Sequence, residues 1–144
     1  MKKIILAFFI SISFLSCKSD DDQNTNRNPY LTIPAVNLNL SLNLPEYNPL
    51  KFPGQSVIVT NQGIKGIVIY NVNNVLYTAF ELSDPNHFPN NCSKMEVEST
   101  LATCTCDDEN KYDIITGQHL TDQTLYPMLQ FRAERTGDTV RVYN

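Results

Sequence analysis

The clearest pattern in the chain is a strict alternation of apolar and polar residues over residues 36–44, which read Val-Asn-Leu-Asn-Leu-Ser-Leu-Asn-Leu. This period of two is typical of a β-strand that buries one face. A second signal is the short apolar run at residues 67–70, which favours a central strand with both faces covered. The pattern therefore predicts a β-sheet protein.

Turn signals separate the apolar runs along the rest of the chain. Asn73-Asn74 lies before a predicted strand at residues 75–82, and Thr136-Gly137-Asp138 separates predicted strands at residues 128–135 and 139–143. Beyond the leader, no window of twelve residues carries the apolar spacing of an amphipathic helix. We predict an all-β, antiparallel sandwich or small barrel of about eight to ten strands, with almost no helix. A single domain is expected over residues 30–144.

The N-terminus has the pattern of an export signal. A basic start at residues 1–3 precedes an apolar run at residues 4–14, which is too short to cross a hydrocarbon core of about 30 Å as a helix. Residues 14–17, Phe-Leu-Ser-Cys, resemble a bacterial lipobox, in which Leu more often stands at the first position. The resemblance implies a lipoprotein signal peptide at residues 1–16 and acyl chains such as palmitate on Cys17, which would anchor the protein in a membrane.

Charge and composition after Cys17 narrow the possible partners. Residues 18–28 include three consecutive aspartates and no apolar residue, so residues 17–29 are predicted to form a disordered tether. The whole chain has a formal charge of −4, and removal of Lys2 and Lys3 with the signal leaves 9 basic and 15 acidic residues, a charge of −6. This balance argues against nucleic acid as a partner. The expected partners are the membrane, reached through Cys17, and a protein or small molecule whose identity the sequence leaves open.

The residues that follow Cys17 also suggest a location. Cys-Lys-Ser-Asp-Asp-Asp is similar to the start of lipoproteins of the Bacteroidetes type. The resemblance implies a lipid-anchored position in the bacterial cell envelope, at the outer membrane, on either the periplasmic or the surface face.

Candidate chemistry is concentrated between residues 84 and 117, where Cys92, Cys104 and Cys106 lie near His87. Exported proteins meet oxidising conditions, so a disulfide is the expected use of two of these cysteines. Three pairings are possible, and a Cys104–Cys106 bridge across one residue would be strained, which leaves Cys92 paired with either of the others. A Zn²⁺ site of the Cys₃His type is an alternative, although the usual C-x₂-C spacing is absent.

The spacing of these residues resembles that of Rieske iron–sulfur domains, in which two loops each give one Cys and one His to a [2Fe–2S] cluster. The family pattern is C-x-H, 15 to 17 residues, then C-x-x-H; here Pro85-Asn86-His87 is followed by sixteen residues and Cys104-Thr105-Cys106-Asp107. Residues 112–117, Tyr-Asp-Ile-Ile-Thr-Gly, are similar to the hairpin that follows the second loop. The resemblance covers residues 64–143 and implies a Rieske-like fold, a disulfide between Cys92 and Cys106, and a free Cys104.

Two substitutions remove cluster ligands from this pattern. Pro85 stands where the first ligand cysteine would be and has no donor atom, and Asp107 stands where the second ligand histidine would be. A Rieske cluster needs two thiolates and two imidazoles, and this chain keeps one of each in His87 and Cys104. We therefore predict a Rieske-like domain that has lost its cluster, holds no cofactor and acts as a binding or structural module.

Other functions remain as alternatives. One is an electron-transfer protein that holds a 2Fe-2S cluster through Asp107, and another is a Ca²⁺ site at residues 107–110. No catalytic residue is predicted, because the chain lacks a nucleophile signature and the acids after Cys104 argue against a reactive thiolate. His119, alone after a turn, is expected to be a surface residue.

Overall fold

The computed structural model describes residues 28–144, so the predicted signal peptide, the predicted acylation site Cys17 and the predicted tether up to residue 27 lie outside the described residues. Asn28, the first described residue, is held in place by hydrogen bonds. The side-chain amide of Asn28 donates to the carbonyl of Pro85 at 2.6 Å, and its Oδ1 accepts the N–H of Tyr30 at 2.8 Å. Among these residues, no helix is long and apolar enough to cross a membrane.

The described residues form nine β-strands and one 3₁₀ helix. The strands are β1 (Asn37–Ser41), β2 (Ser56–Val59), β3 (Ile67–Asn71), β4 (Tyr77–Glu81), β5 (Glu96–Glu98), β6 (Leu101–Thr103), β7 (Lys111–Asp113), β8 (Gln130–Thr136) and β9 (Thr139–Tyr143), and the helix is Asn48–Lys51. A six-stranded sheet has the order β1-β9-β8-β4-β3-β2, and β5-β6-β7 form a second sheet. Every pairing is antiparallel. The prediction of an antiparallel all-β domain with almost no helix is confirmed.

The alternating segment forms the edge strand β1, with an earlier end than predicted. Leu40 and Leu42 are buried as the alternation requires, but Leu44 is 46% exposed. The strand ends at Ser41 because the chain turns there: the N–H of Leu44 donates to the carbonyl of Ser41 at 3.0 Å. The prediction of a strand up to Leu44 is therefore wrong by three residues.

Two apolar clusters form the core, one on each face of the large sheet. The first contains residues from all six strands, so the sheet curls round it; they include Leu40, Val59, Ile67, Ile69, Ala79, Phe131, Val140 and Val142. The second lies between the large and small sheets and includes Val68, Tyr70, Phe80, Ala102, Cys104 and Tyr112. Alternate residues of β3 enter different clusters, which explains why residues 67–70 are apolar at every position.

The buried carboxylate of Glu81 lies at the end of β4 and fixes the backbone there. The chain segment that follows, residues 82–95, carries part of the candidate site. Glu81 is fully buried and accepts backbone N–H groups from Ile64 and Lys65, both at 2.7 Å, and from Ser83 at 3.1 Å. Burial raises the pKa of Glu81, and these hydrogen bonds act in the opposite direction. The same contacts explain Gly63, which has φ 78° and no room for a Cβ beside the Glu81 carboxylate.

Candidate functional site

Two loops meet beside the small sheet and bring most of the predicted site residues together. Loop A, residues 82–95, connects β4 to β5, and loop B, residues 104–110, connects β6 to β7. A disulfide joins Cys92 of loop A to Cys106 of loop B, with their Cα atoms 5.0 Å apart. This is the pairing that the family resemblance implied. Cys104 is free and buried.

Short polar side chains shape loop A by capping its turns. Asp84 Oδ1 accepts the backbone N–H of Asn86 at 2.7 Å, and Asn90 Oδ1 accepts those of Cys92 and Ser93 at 2.9 and 3.0 Å. Such bonds replace backbone turns, which is why Asp and Asn are common at these positions. His87 is held between the two capped turns.

His87 lies among metal-ligating side chains from both loops. Its Nε2 is 3.3 Å from Cys104 Sγ, 3.7 Å from Asp84 Oδ2 and 3.8 Å from Asp108 Oδ2. Its other nitrogen, Nδ1, lies 3.2 Å from the carbonyl of Phe88, which can only accept a hydrogen bond. In the tautomer that donates from Nδ1 to this carbonyl, the lone pair of Nε2 faces the thiol and the carboxylates.

Asp84 connects this group to the core. It is fully buried, accepts the Tyr112 hydroxyl at Oδ1 (3.1 Å), and accepts the Asn110 amide at Oδ2 (3.1 Å). The same amide nitrogen donates to Asp108 Oδ2 at 2.8 Å, so Asn110 bridges the two carboxylates. In the predicted alternative of a Ca²⁺ site at residues 107–110, the Asn110 oxygen would be a ligand, whereas its nitrogen faces Asp108 here.

The Cys104 thiol is held in its neutral form. Burial, together with a hydrogen bond to Asp84 and the negative charges of Asp84 and Asp108, raises the pKa of Cys104 to about 12. The backbone N–H of Cys106, 3.5 Å from Sγ, acts in the opposite direction but is outweighed. At neutral pH the thiol therefore keeps its proton and donates it to the Asp84 carboxylate.

We expect folded protein at pH 8 to alkylate at Cys104 on the order of a thousandfold more slowly than the unfolded chain, because so little thiolate is present. The measurement is iodoacetamide labelling followed by peptide mapping. Unfolding without reductant should expose Cys104 while Cys92 and Cys106 stay protected as a disulfide. Rapid labelling of Cys104 in the folded protein would contradict this account.

The two substituted family positions do not join the His87 group. Pro85 is buried and its carbonyl accepts the Asn28 amide, and Asp107 is exposed and makes no side-chain hydrogen bond or ion pair within residues 28–144. Asp84 and Asp108, each one residue away in the sequence, take part instead. Sequence reasoning missed both as partners of His87, and their adjacency to the substituted positions was the only signal.

The expectation that His119 is a surface residue is wrong. It is 8% exposed, and its ring packs edge-on against that of Tyr112 with centroids 5.1 Å apart. Its Nδ1 accepts the backbone N–H of Asp122 at 3.0 Å. His119 is buried because residue 119 pairs with Tyr112 beside β7, and it supports the tyrosine whose hydroxyl donates to Asp84.

A shallow groove of about 400 Å³ opens over the two loops, lined by His87, Asn90, Thr105, Asp107, Asp108 and the disulfide. Its walls carry an imidazole and carboxylates, and within residues 28–144 neither Asp84 nor Asp108 forms an ion pair with Lys or Arg. The groove can therefore accept a small cation more readily than an anion.

No protein-family model matches the chain, and no curated protein sequence matches it either. Solved structures do resemble it. A chain from the complex of reduced oxygenase and oxidized ferredoxin in carbazole 1,9a-dioxygenase is 17% identical, with a TM-score of 0.46 over 78% of this chain and 91% of that one. A putative NADH-dependent nitrite reductase small subunit from Mycobacterium tuberculosis is 14% identical, with a TM-score of 0.45 over 76% and 96%.

A third similar structure is a quaternary ammonium Rieske monooxygenase, 14% identical, with a TM-score of 0.49 over 79% of this chain and 32% of that one. The likeness to these structures concerns the fold, and the chemistry of loops A and B depends on the residues of this chain.

Proposed function

We propose that the protein is a lipid-anchored protein of the bacterial cell envelope whose Rieske-like domain has lost its [2Fe–2S] cluster and acts as a binding or structural module. The observation that carries the proposal is the 3.3 Å contact between His87 Nε2 and Cys104 Sγ. In a Rieske cluster the thiolates and the imidazoles ligate different iron atoms. Here the two remaining ligand types contact each other directly.

The donor set does not fit such a cluster. Cys106 cannot replace the missing thiolate, because its sulfur is bonded to Cys92. Pro85 offers no side-chain donor, and its carbonyl already accepts the Asn28 amide. Carboxylates are poor substitutes for imidazole beside sulfur-ligated iron. No electron-transfer step is therefore assigned to this site.

A disulfide and buried hydrogen bonds fix the shape of the two loops, which supports a role in binding. The disulfide joins loop A to loop B, and the buried Asp84 connects both loops to Tyr112 of the core. A groove that is held in place before a ligand arrives loses little conformational entropy on binding. The membrane anchor is inferred from residues 1–17, with Cys17 as the acylated residue.

The test uses the full chain, made with its own leader in bacteria and extracted from membranes. We expect acyl labelling at Cys17, a colourless protein, and no iron or acid-labile sulfide above background. The Cys17→Ser variant should lose the label and the membrane association. Labelling that persists in that variant would overturn the anchor, and stoichiometric iron and sulfide would overturn cluster loss in favour of the electron-transfer alternative.

A further inference from the structure

Loops A and B direct four metal-ligating side chains toward one another. The ligating atoms of His87, Cys104 and Asp108 lie within 4.8 Å of one another, and Asp84 Oδ2 lies 3.7 Å from His87 Nε2. Cys106 Sγ lies in the same group, but its bond to Cys92 removes it as a thiolate donor. The remaining set has one nitrogen, one sulfur and two carboxylate oxygens.

The three distances that start at His87 Nε2 are close to the edges of a tetrahedral zinc site. With Zn–N and Zn–O near 2.0–2.1 Å and Zn–S near 2.3 Å, tetrahedral angles place nitrogen about 3.6 Å from sulfur and about 3.4 Å from oxygen. The corresponding distances from His87 Nε2 are 3.3 Å to Cys104 Sγ, 3.7 Å to Asp84 and 3.8 Å to Asp108. His87 Nε2 therefore lies at distances from the other three donors that suit coordination of one shared ion.

Hydrogen bonds already orient the donors. The Phe88 carbonyl can accept the Nδ1 proton of His87 and so leave Nε2 able to bind a metal, and Tyr112 and Asn110 hold the two oxygens of Asp84. Asn110 also holds Asp108. Outer partners of this kind orient metal ligands in proteins and are needed for full affinity.

The charge of these side chains also favours the binding of a metal cation. Within residues 28–144, neither carboxylate lies within ion-pair distance of a Lys or Arg, and Asp84 is fully buried. A divalent cation would compensate charges that no Lys or Arg compensates. Coordination would replace the S–H bond of Cys104 with a metal–sulfur bond and release the proton to solvent.

We infer that His87, Cys104, Asp84 and Asp108 form a binding site for a single Zn²⁺ ion. Zinc accepts nitrogen, sulfur and oxygen donors together, whereas Ca²⁺ takes oxygen ligands only. The inference rests on the proposed function and extends it, because a domain that kept an iron–sulfur cluster would use the same loops. It gives the binding module a ligand of defined chemistry.

The test uses the full chain, from which metal has been removed while the disulfide stays intact. The protein is titrated first with Co²⁺ and then with Zn²⁺. We expect one Co²⁺ per chain, visible bands of tetrahedral cobalt, a sulfur-to-cobalt charge-transfer band, and displacement by one Zn²⁺. The Asp108→Asn variant should bind at least about tenfold more weakly. Asp107→Asn is the matched control, since it removes the neighbouring carboxylate outside the His87 group, and should bind as the wild type does.

A second variant, Cys104→Ser, should lose the charge-transfer band and bind weakly while its circular dichroism stays unchanged. Absence of stoichiometric binding, a charge-transfer band that persists without Cys104, or equal losses in the Asp107 and Asp108 variants would overturn the zinc site. Those results would leave the proposed function standing if the membrane-extracted protein also lacks iron and sulfide. Iron and sulfide in that protein would instead overturn the proposed function.

Discussion

Replacing Cys92 and Cys106 together by serine is expected to lower the free energy of unfolding by about 3 kcal/mol. The disulfide closes a loop with a sequence separation of 14 residues, and removing it restores conformational freedom to the unfolded chain. In the folded state it also joins loop A to loop B. The measurement is urea unfolding without reductant, followed by circular dichroism.

Reduction provides the control for this prediction. Dithiothreitol should destabilise the wild type by a similar amount and leave the double variant unchanged. A double variant as stable as the oxidised wild type would show that the bridge contributes no stability.

The Asp84→Ala substitution is expected to destabilise the domain by a similar amount, about 3 kcal/mol, because it leaves buried donors without an acceptor. The Asp84 carboxylate accepts the Asn86 N–H, the Tyr112 hydroxyl and the Asn110 amide, and Asp84 itself is fully buried. Alanine cannot replace these bonds, and Asn110 would lose one of its two carboxylate acceptors. Urea unfolding monitored by tyrosine fluorescence measures the change.

The Asp84→Asn variant shows whether the hydrogen bonds of Asp84 or its negative charge contribute more to the stability of the domain. Its amide oxygen can still accept the Asn86 and Tyr112 bonds, so we expect a loss of only about 1 kcal/mol. An alanine variant within about 0.5 kcal/mol of the wild type would contradict the view that Asp84 connects the loops to the core.

The strands of the large sheet could be predicted from local pattern. Alternation identified the buried face of β1, the uniformly apolar run identified β3 as central, and Asn74 adopts φ 68° at the predicted hairpin tip. The three short strands of the small sheet carry too few residues for a periodic signal, since each has 3 residues. Their order depends on tertiary packing against the second cluster.

The site could be predicted only in part. His87, Cys104 and the disulfide pair follow from the family resemblance, but which acids approach His87 depends on how each loop turns. Loop A turns at Asp84 through its bond to the Asn86 N–H, and Asn110 holds the exposed Asp108 side chain near His87. Neither of these hydrogen bonds can be predicted from the spacing of the residues along the sequence. The burial of His119 could not be predicted either, because it results from the pairing of residue 119 with Tyr112. No local sequence pattern indicates that pairing.

The central claim is that loops A and B hold no iron–sulfur cluster. Native mass spectrometry of the membrane-extracted protein tests it most directly, because one spectrum separates the metal-free chain, the chain with one metal ion and the chain with two irons and two sulfides. We predict masses of the acylated chain alone or with a single zinc ion. A dominant species that carries two irons and two sulfides would contradict the account.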